Sequence, residues 1–444
     1  MIHRESQQES AVITFDDQMS PFDGGGVATG VLRRKDAVSS DRRITLSVAV
    51  YIGVAVMSGA GLLGKISLLR SLLPFPTWAL QLFIALSLAL PLLWPIALRF
   101  RKAVATAFLI ALAGVFLVVF PRIERMHSKG RGSDQPDCII AVSHSLVAAE
   151  WPYERGRLWS HNPLSCGPGW VALQTPAVQV VGYRWSLIVC WACAIAAIIG
   201  AVGWSSASAL LSLIALSPGL WLAASNGSDF LTFGIAIAAL YLASDRTEAF
   251  RFVKVVLLAL VAQFRFPTML VPAFLRKQIG RAGVIWASAL ALGCQLIFLF
   301  WNSKSFINDG PLHLFYKLTN SSALSMKPLV VSAEVILPLV FAIVAVVVFE
   351  EHTRWRWNLL VFLGGVFCLP AILDLVTKYH LYGTVPRALE FWEGGVWICG
   401  CLPLAAGMLI SEREIGLSKS EQDGGFGANH QSKLSPETAN KFKD

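Results

Sequence analysis

One stretch of the chain concentrates residues able to do chemistry. Between residues 121 and 180 lie Asp134, Asp137, His144, Glu150, Glu154 and His161, with Trp151, Tyr153, Trp159 and Trp170 among them. A carboxylate within hydrogen-bond reach can take the proton of an attacking hydroxyl, and aromatic faces stack on the C–H faces of sugar rings. A belt of Trp and Tyr at headgroup depth would account for the aromatics, but it leaves the acids without a role. Asp137 is the first candidate for a base, with Asp134 and Glu150 competing. Tyr153, His161 and Asn162 are candidate substrate contacts in the same stretch.

Three further sites carry charge in unusual places. Arg265 sits in the apolar run Gln263-Phe264-Arg265-Phe266-Pro267. A charge at bilayer depth costs about 2.5–3.5 kcal/mol on insertion scales, so such residues usually serve function. Arg265 is the candidate ligand for a phosphate; snorkelling to the headgroups is the competing reading. Asp229 follows the polar turn Ser225-Asn226-Gly227-Ser228 and either binds substrate or a metal, or caps the next helix. Lys378, His380 and Arg387 lie in a late polar segment, where they either close over a phosphate or acceptor or form a solvated charged loop. Glu334 and Asp374 lie within or near apolar runs, and His313 and Lys317 are weaker candidates.

The elements that must position these residues are membrane helices. Of 444 residues, 55% are hydrophobic and only 15% charged. Apolar runs of about 20 residues, each long enough to cross the ~30 Å hydrocarbon layer, recur from Thr45 to Ile410. The runs are continuous rather than alternating, which excludes a transmembrane β-barrel. The net charge of +9 is spread in short clusters between the runs, where it orients spans rather than binding nucleic acid.

Residues 1–43 are polar and are expected to form a disordered tail. The tail ends in Arg33, Arg34, Lys35, Arg42 and Arg43, which places it in the cytoplasm. Spans are expected at 44–64, 76–98, 103–120, 184–204, 206–224, 230–244, 283–301, 328–349, 357–376 and 395–410. The segment 255–275 has basic clusters on both sides, Arg246, Arg251 and Lys254 before it and Arg276, Lys277 and Arg281 after it. One crossing would violate the charge rule, and Pro267 interrupts the helix. The segment therefore reads as a broken hairpin with Arg265 at its tip. Together these make about 12 membrane helices in one domain, 44–410. A structured outer loop at 121–180 and another at 377–394 complete it. Both termini are cytoplasmic, with a polar tail at 411–444. No internal repeat is visible, which counts against a transporter.

Cys138 and Cys166 share the outer stretch and can pair in an oxidising compartment. The other six cysteines fall in apolar runs and read as packing residues. No His/Cys spacing makes a zinc site, and no phosphate-loop glycine motif points to nucleotide hydrolysis.

An outer-loop Asp, then Trp151-Pro152-Tyr153, Asn162-Pro163 and the turn Gly167-Pro168-Gly169-Trp170 before the next span, resembles the GT-C superfamily of polytopic glycosyltransferases. The closest resemblance is to glycosyltransferase family 87 and mannosyltransferase-like proteins. The turn Asn226-Gly227-Ser228-Asp229 and the broken segment Phe264-Arg265-Phe266-Pro267 are also similar to theirs. The similarity covers roughly 130–280. Two extra spans precede the key loop, and Glu150 stands where those proteins tend to have Gly. The resemblance implies transfer of a sugar, a hexose such as mannose, from a polyprenyl-phosphate donor to an envelope glycolipid or polysaccharide. Membrane lipids would surround the site, nucleic acid would play no part, and the setting would be a bacterial inner membrane. Members of the superfamily differ in whether they need a divalent metal ion. The alternatives are a transporter or flippase of lipid-linked sugars, and a non-catalytic component of a polysaccharide assembly complex.

Overall fold

The computed structural model describes residues 26–65, 76–125, 134–158, 163–244, 251–312 and 355–411, apart from 391 and 393. Among these the chain is helical, with no strand. The helices are α1 Gly26–Gly59, α2 Thr77–Ala89, α3 Trp94–Arg99, α4 Arg101–Gly114, α5 Phe120–Glu124, α6 Gln135–Val147, α7 Pro168–Val181, α8 Tyr183–Ala215 and α9 Pro218–Ser225. They continue as α10 Asp229–Ser244, α11 Arg251–Val261, α12 Val271–Phe274, α13 Arg276–Trp301, α14 Ser303–Asn308, α15 Trp355–Tyr382, α16 Val385–Glu390 and α17 Gly394–Ile398.

Seven stretches are long and apolar enough to cross a membrane: Arg43–Gly64, Thr77–Arg99, Arg101–Glu124, Tyr183–Ala215, Gln278–Trp301, Trp357–His380 and Gly394–Ser411. This is a multi-pass integral membrane protein. The expected count of about 12 is not reached among the described residues. Part of the difference is that Tyr183–Ala215 counts as one stretch although Gly203, near the expected break between 184–204 and 206–224, divides it with non-helical backbone; α10 is shorter. The expected span 328–349 lies outside the described residues, as do Glu334, His313 and Lys317.

Side-chain contacts define two ends of the bundle. Phe120 meets Tyr183 with ring centroids 6.1 Å apart, Phe108 meets Trp191 at 6.3 Å, and Arg101 donates to Ser205 Oγ. Thus α4–α5 and the first half of α8 run antiparallel. Gly203 then turns the chain with φ +77°, a backbone angle glycine adopts without a Cβ penalty. The second half returns through α9: Trp221 reaches Phe108 at 5.6 Å, and Tyr183 Oη donates to Gly227 O at 2.7 Å. The turn before α10 therefore lies at the Phe120–Tyr183 end.

The segment after α10 folds as the hairpin that its flanking charges predict. Arg251 closes the base by donating through Nε and Nη2 to Ile279 O, at 2.9 and 2.7 Å. Arg265 is extended at φ −142° and separates two short 3-10 turns, Ala262–Phe264 and Phe266–Leu270. Thr268 Oγ1 secures this tip by accepting from Arg265 N at 3.1 Å and donating to Ala262 O at 2.7 Å. Helix α13 then runs back past the tip, where Gln295 Nε2 donates to Gln263 Oε1 at 3.2 Å. Helix α15 also rises toward it: Phe362 stacks on Phe274 at 4.5 Å, and Phe367 meets Phe264 at 6.3 Å.

Burial sorts the helices by neighbour. From Asp229 to Ala239, α10 is buried at all but one position, as a helix apolar all round should be. Helix α2 instead exposes Trp78, Leu82, Phe83 and Leu86, a face suited to lipid.

Several expectations need correction. Helix α1 starts at Gly26, inside the stretch expected to be disordered; a span's hydrogen-bond ladder extends a helix cheaply once nucleated. The described residues of the expected structured loop 121–180 include the helices α6 and α7, in keeping with order there. The expected loop 377–394 holds the end of α15 and the short helix α16.

Candidate functional site

The site is built where α7, α10 and the hairpin tip meet. Asp229 opens α10 directly after Ser228. Ser228 Oγ accepts from Phe230 N at 3.4 Å and donates to Gln135 Oε1 at 2.7 Å, tying this turn to the start of α6. The Asp229 carboxylate is fully buried. Its Oδ2 accepts from Trp170 Nε1 at 3.1 Å, and its Oδ1 stands 3.5 Å from Arg265 Nη2. Arg265 reaches it from the tip, with 15% of its side chain exposed.

The Arg265 guanidinium is held on several sides. Nη1 donates to Phe264 O at 2.8 Å. The group lies 4.4 Å from the Phe264 ring centroid and 5.1 Å from that of Phe230, within cation–π range. Phe233 stacks on Phe264 at 4.5 Å, so the ion pair sits in apolar surroundings. Such a pair holds only if both charges keep their partners.

The Gly167-Pro168-Gly169-Trp170 turn brings α7 against the hairpin. Gly169 N donates to Gln263 Oε1 at 3.1 Å. A Cβ at Gly169 would run into the Gln263 side-chain amide, and one at Gly167 into its carbonyl. Glycine is required here because the two segments touch backbone to backbone. That approach delivers Trp170 to Asp229.

Asp137 lies in the first turn of α6, half-buried. The bond from Ser228 Oγ to Gln135 Oε1 seats the first turn of α6, and with it Asp137, beside the turn that carries Asp229. Asp134 is the residue preceding α6 and is half-buried.

The remaining candidates are placed differently. Glu150 is exposed and lies 4.0 Å from Arg157, which also pairs with Glu154 at 3.0 Å. Tyr153 is fully buried rather than offering a ring face: its hydroxyl donates to Cys166 O at 3.0 Å. Its ring packs edge-on against Phe306 at 5.3 Å and Phe298 at 5.8 Å. Burial pushes the Tyr153 phenol well above its ordinary pKa, although Arg265 pulls it down. His161 and Asn162 lie outside the described residues. Lys378 pairs with Asp374 at 3.7 Å one helical turn earlier, and His380 and Arg387 are exposed. Lys378 is roughly 16 Å along the helix axis from Phe367, beyond the level of the tip.

Sequence reasoning did not assign Trp170 as the donor to Asp229, or Gln263 as the seat of α7. The signal for both was the close-packed Gly-Pro-Gly-Trp turn. Among the described residues, no three His, Cys, Asp or Glu side chains gather as a metal would require. Chemically, the cluster offers a partly exposed guanidinium for an anion, with a half-buried carboxylate nearby to accept a proton. A guanidinium carries five N–H groups, so Arg265 keeps donors beyond those given to Phe264 and Asp229.

No protein-family model matches the chain, and neither any curated protein nor any solved structure matches it.

Proposed function

We propose that the protein is a membrane glycosyltransferase of GT-C type. It transfers a sugar, a hexose such as mannose, from a polyprenyl-phosphate donor to a glycolipid or polysaccharide of the cell envelope. The single observation that supports this is the partly exposed Arg265 guanidinium, paired with Asp229 beside the first turn of α6 that carries Asp137, at one end of the membrane helices. A donor whose lipid tail stays in the bilayer presents its phosphate at such an end.

In this reading the Asp137 carboxylate removes the proton of the acceptor hydroxyl. The hydroxyl oxygen bonds to the anomeric carbon as the carbon–oxygen bond to the phosphate breaks. Arg265 stabilises the negative charge left on that phosphate. Asp229 keeps the guanidinium charged and aimed when the donor is absent. The Cys138–Cys166 disulfide suits an oxidising compartment, in keeping with a site on the outer face and both termini in the cytoplasm.

The test is transfer from a labelled polyprenyl-phosphate hexose by purified protein across a panel of acceptors. Asp137→Asn should abolish transfer while the protein accumulates as before. Full activity in that variant, or no transfer by the wild type to any acceptor, overturns the reading. One feature also suits a transporter or flippase of lipid-linked sugars, namely a buried ion pair on a broken hairpin. Flipping that persists in Asp137→Asn but stops in Arg265→Gln would favour it.

A further inference from the structure

The base of the hairpin carries a cluster of cations, roughly 16 Å along α11 from the tip. Arg251 opens α11, and Arg276 and Arg281 lie on either side of the Gly280 break in α13. Arg251 is exposed, yet its guanidinium is fixed in place: Nε and Nη2 both donate to Ile279 O. Gly280 permits this approach, because a Cβ there would run into Arg251 Nη2. One turn further in, a Cβ at Gly283 of α13 would press on Val255 of α11, so the two helices meet closely beside the cluster. Arg276 is half-buried and Arg281 exposed.

Among the described residues none of these three arginines has a carboxylate partner. No Asp or Glu occurs in 251–301. Asp245 and Glu248 precede α11, outside the described residues, and the basic residues of 245–281 outnumber them. Apolar surface adjoins the charge. Phe252, beside Arg251, is 79% exposed, and Ile285 and Trp286, about one turn beyond Arg281, are 68% and 65% exposed. Gln278–Trp301 is one of the stretches able to cross a membrane, so the cluster stands at a span's end, the level of lipid headgroups.

We propose that the hairpin base is a binding site for an anionic phospholipid. Orienting a span requires only a number of cations on one side. This cluster has more: one guanidinium is held by two bonds across two helices, and its Nη1 is left over for a ligand. Phosphate oxygens accept from such a fork in a charge-assisted geometry. A guanidinium already fixed loses little freedom when the ligand arrives. Arg276 and Arg281 add attraction for a headgroup of net negative charge. The acyl chains would lie along Phe252, Ile285 and Trp286, which a free phosphate could not use. The site is remote from Asp137 and Arg265, so it stands or falls independently of sugar transfer.

The test uses the full chain purified in an uncharged detergent, with bound lipid counted by native mass spectrometry. Phosphatidylglycerol should bind about tenfold more tightly than phosphatidylcholine, whose headgroup has no net charge. Arg251→Gln with Arg281→Gln should bring the two lipids to within about twofold of each other. Arg99→Gln with Lys102→Gln removes as much charge from another exposed basic cluster and should leave the preference intact. Equal binding of the two lipids by the wild type overturns the proposal. An equal loss in the Arg99/Lys102 variant does so too, because charge alone would then suffice. Inorganic phosphate that displaces phosphatidylglycerol at matching concentration also overturns it, since the site would then be one for free anions. If the Arg251/Arg281 variant fails to fold, Arg281→Gln decides alone, its side chain being exposed. It should lower the preference to about threefold, and an unchanged preference rejects the site.

Discussion

Two ion pairs in this protein use the same chemistry in opposite settings. Arg157 and Glu154 stand 3.0 Å apart, with 28% and 65% of their side chains exposed. Arg265 and Asp229 stand 3.5 Å apart, with 15% and 1% exposed. The shorter pair is the weaker one. Water screens it and competes for both partners, so exposed pairs contribute about 0–1 kcal/mol. The longer pair is walled by Phe230, Phe233 and Phe264, where an uncompensated charge is costly. Burial rather than distance decides which pair the fold depends on.

Mutations can break or sharpen that contrast. The largest effect should come from Asp229→Ala, which strands Arg265 in apolar surroundings. A loss of about 3–5 kcal/mol is expected in unfolding measured in detergent. Replacing both residues, Asp229→Ala with Arg265→Met, should recover much of the loss, because no lone charge then remains. If the single and double variants are equally unstable, the coupling is absent and the two pairs are alike.

Trp170→Phe keeps the ring but removes the donor to Asp229 Oδ2. Leaving that buried oxygen short of a partner should cost about 1–3 kcal/mol in the same unfolding measurement.

Tyr153→Phe removes the bond to Cys166 O and should cost about 1 kcal/mol at neutral pH. It also tests the raised phenol. In the folded protein the proton is held more tightly than in the unfolded chain, so stability present below pH 10 is lost as pH rises above it. Titrated from pH 9 to pH 11, the wild type should lose stability more steeply than the Phe variant. Equal slopes would show that burial does not hold the proton.

The smallest effect belongs to Glu154→Gln. It should change stability by less than about 1 kcal/mol, and added salt should erase the difference.

Some of this was readable in the amino acids. The hairpin tip at Arg265 followed from basic clusters on both flanks and from Pro267. Helix-breaking by proline and charge placement at a membrane are local rules, and they survive in any tertiary setting. Six of the seven apolar stretches that can cross a membrane match expected spans to within about five residues at each end; the exception is Tyr183–Ala215, which takes in 184–204 and part of 206–224. The division expected between 184–204 and 206–224 falls at Gly203, whose positive φ breaks the helical path inside α8. Tyr153 was read as a ring for substrate and is instead a buried brace. Nothing in Trp151-Pro152-Tyr153 distinguishes the two; the choice is made by Phe298 and Phe306 arriving from α13 and α14. Glu150 and Asp137 are both loop-region acids by composition, yet one points into solvent beside Arg157 and the other sits in the first turn of α6, which Gln135 ties to Ser228 beside Asp229.

Apolar length, basic flanks and proline alone establish that this chain crosses a membrane in helices and that a guanidinium sits at a break between two of them. Those are properties of short windows, governed by desolvation and backbone restriction. Which acid answers that guanidinium was decided only by the tertiary structure. Asp229 lies 36 residues away along the chain, and Trp170 and the Cys138–Cys166 bond come from elsewhere again. Charge pairing acts through space, so packing rather than spacing selects the partner.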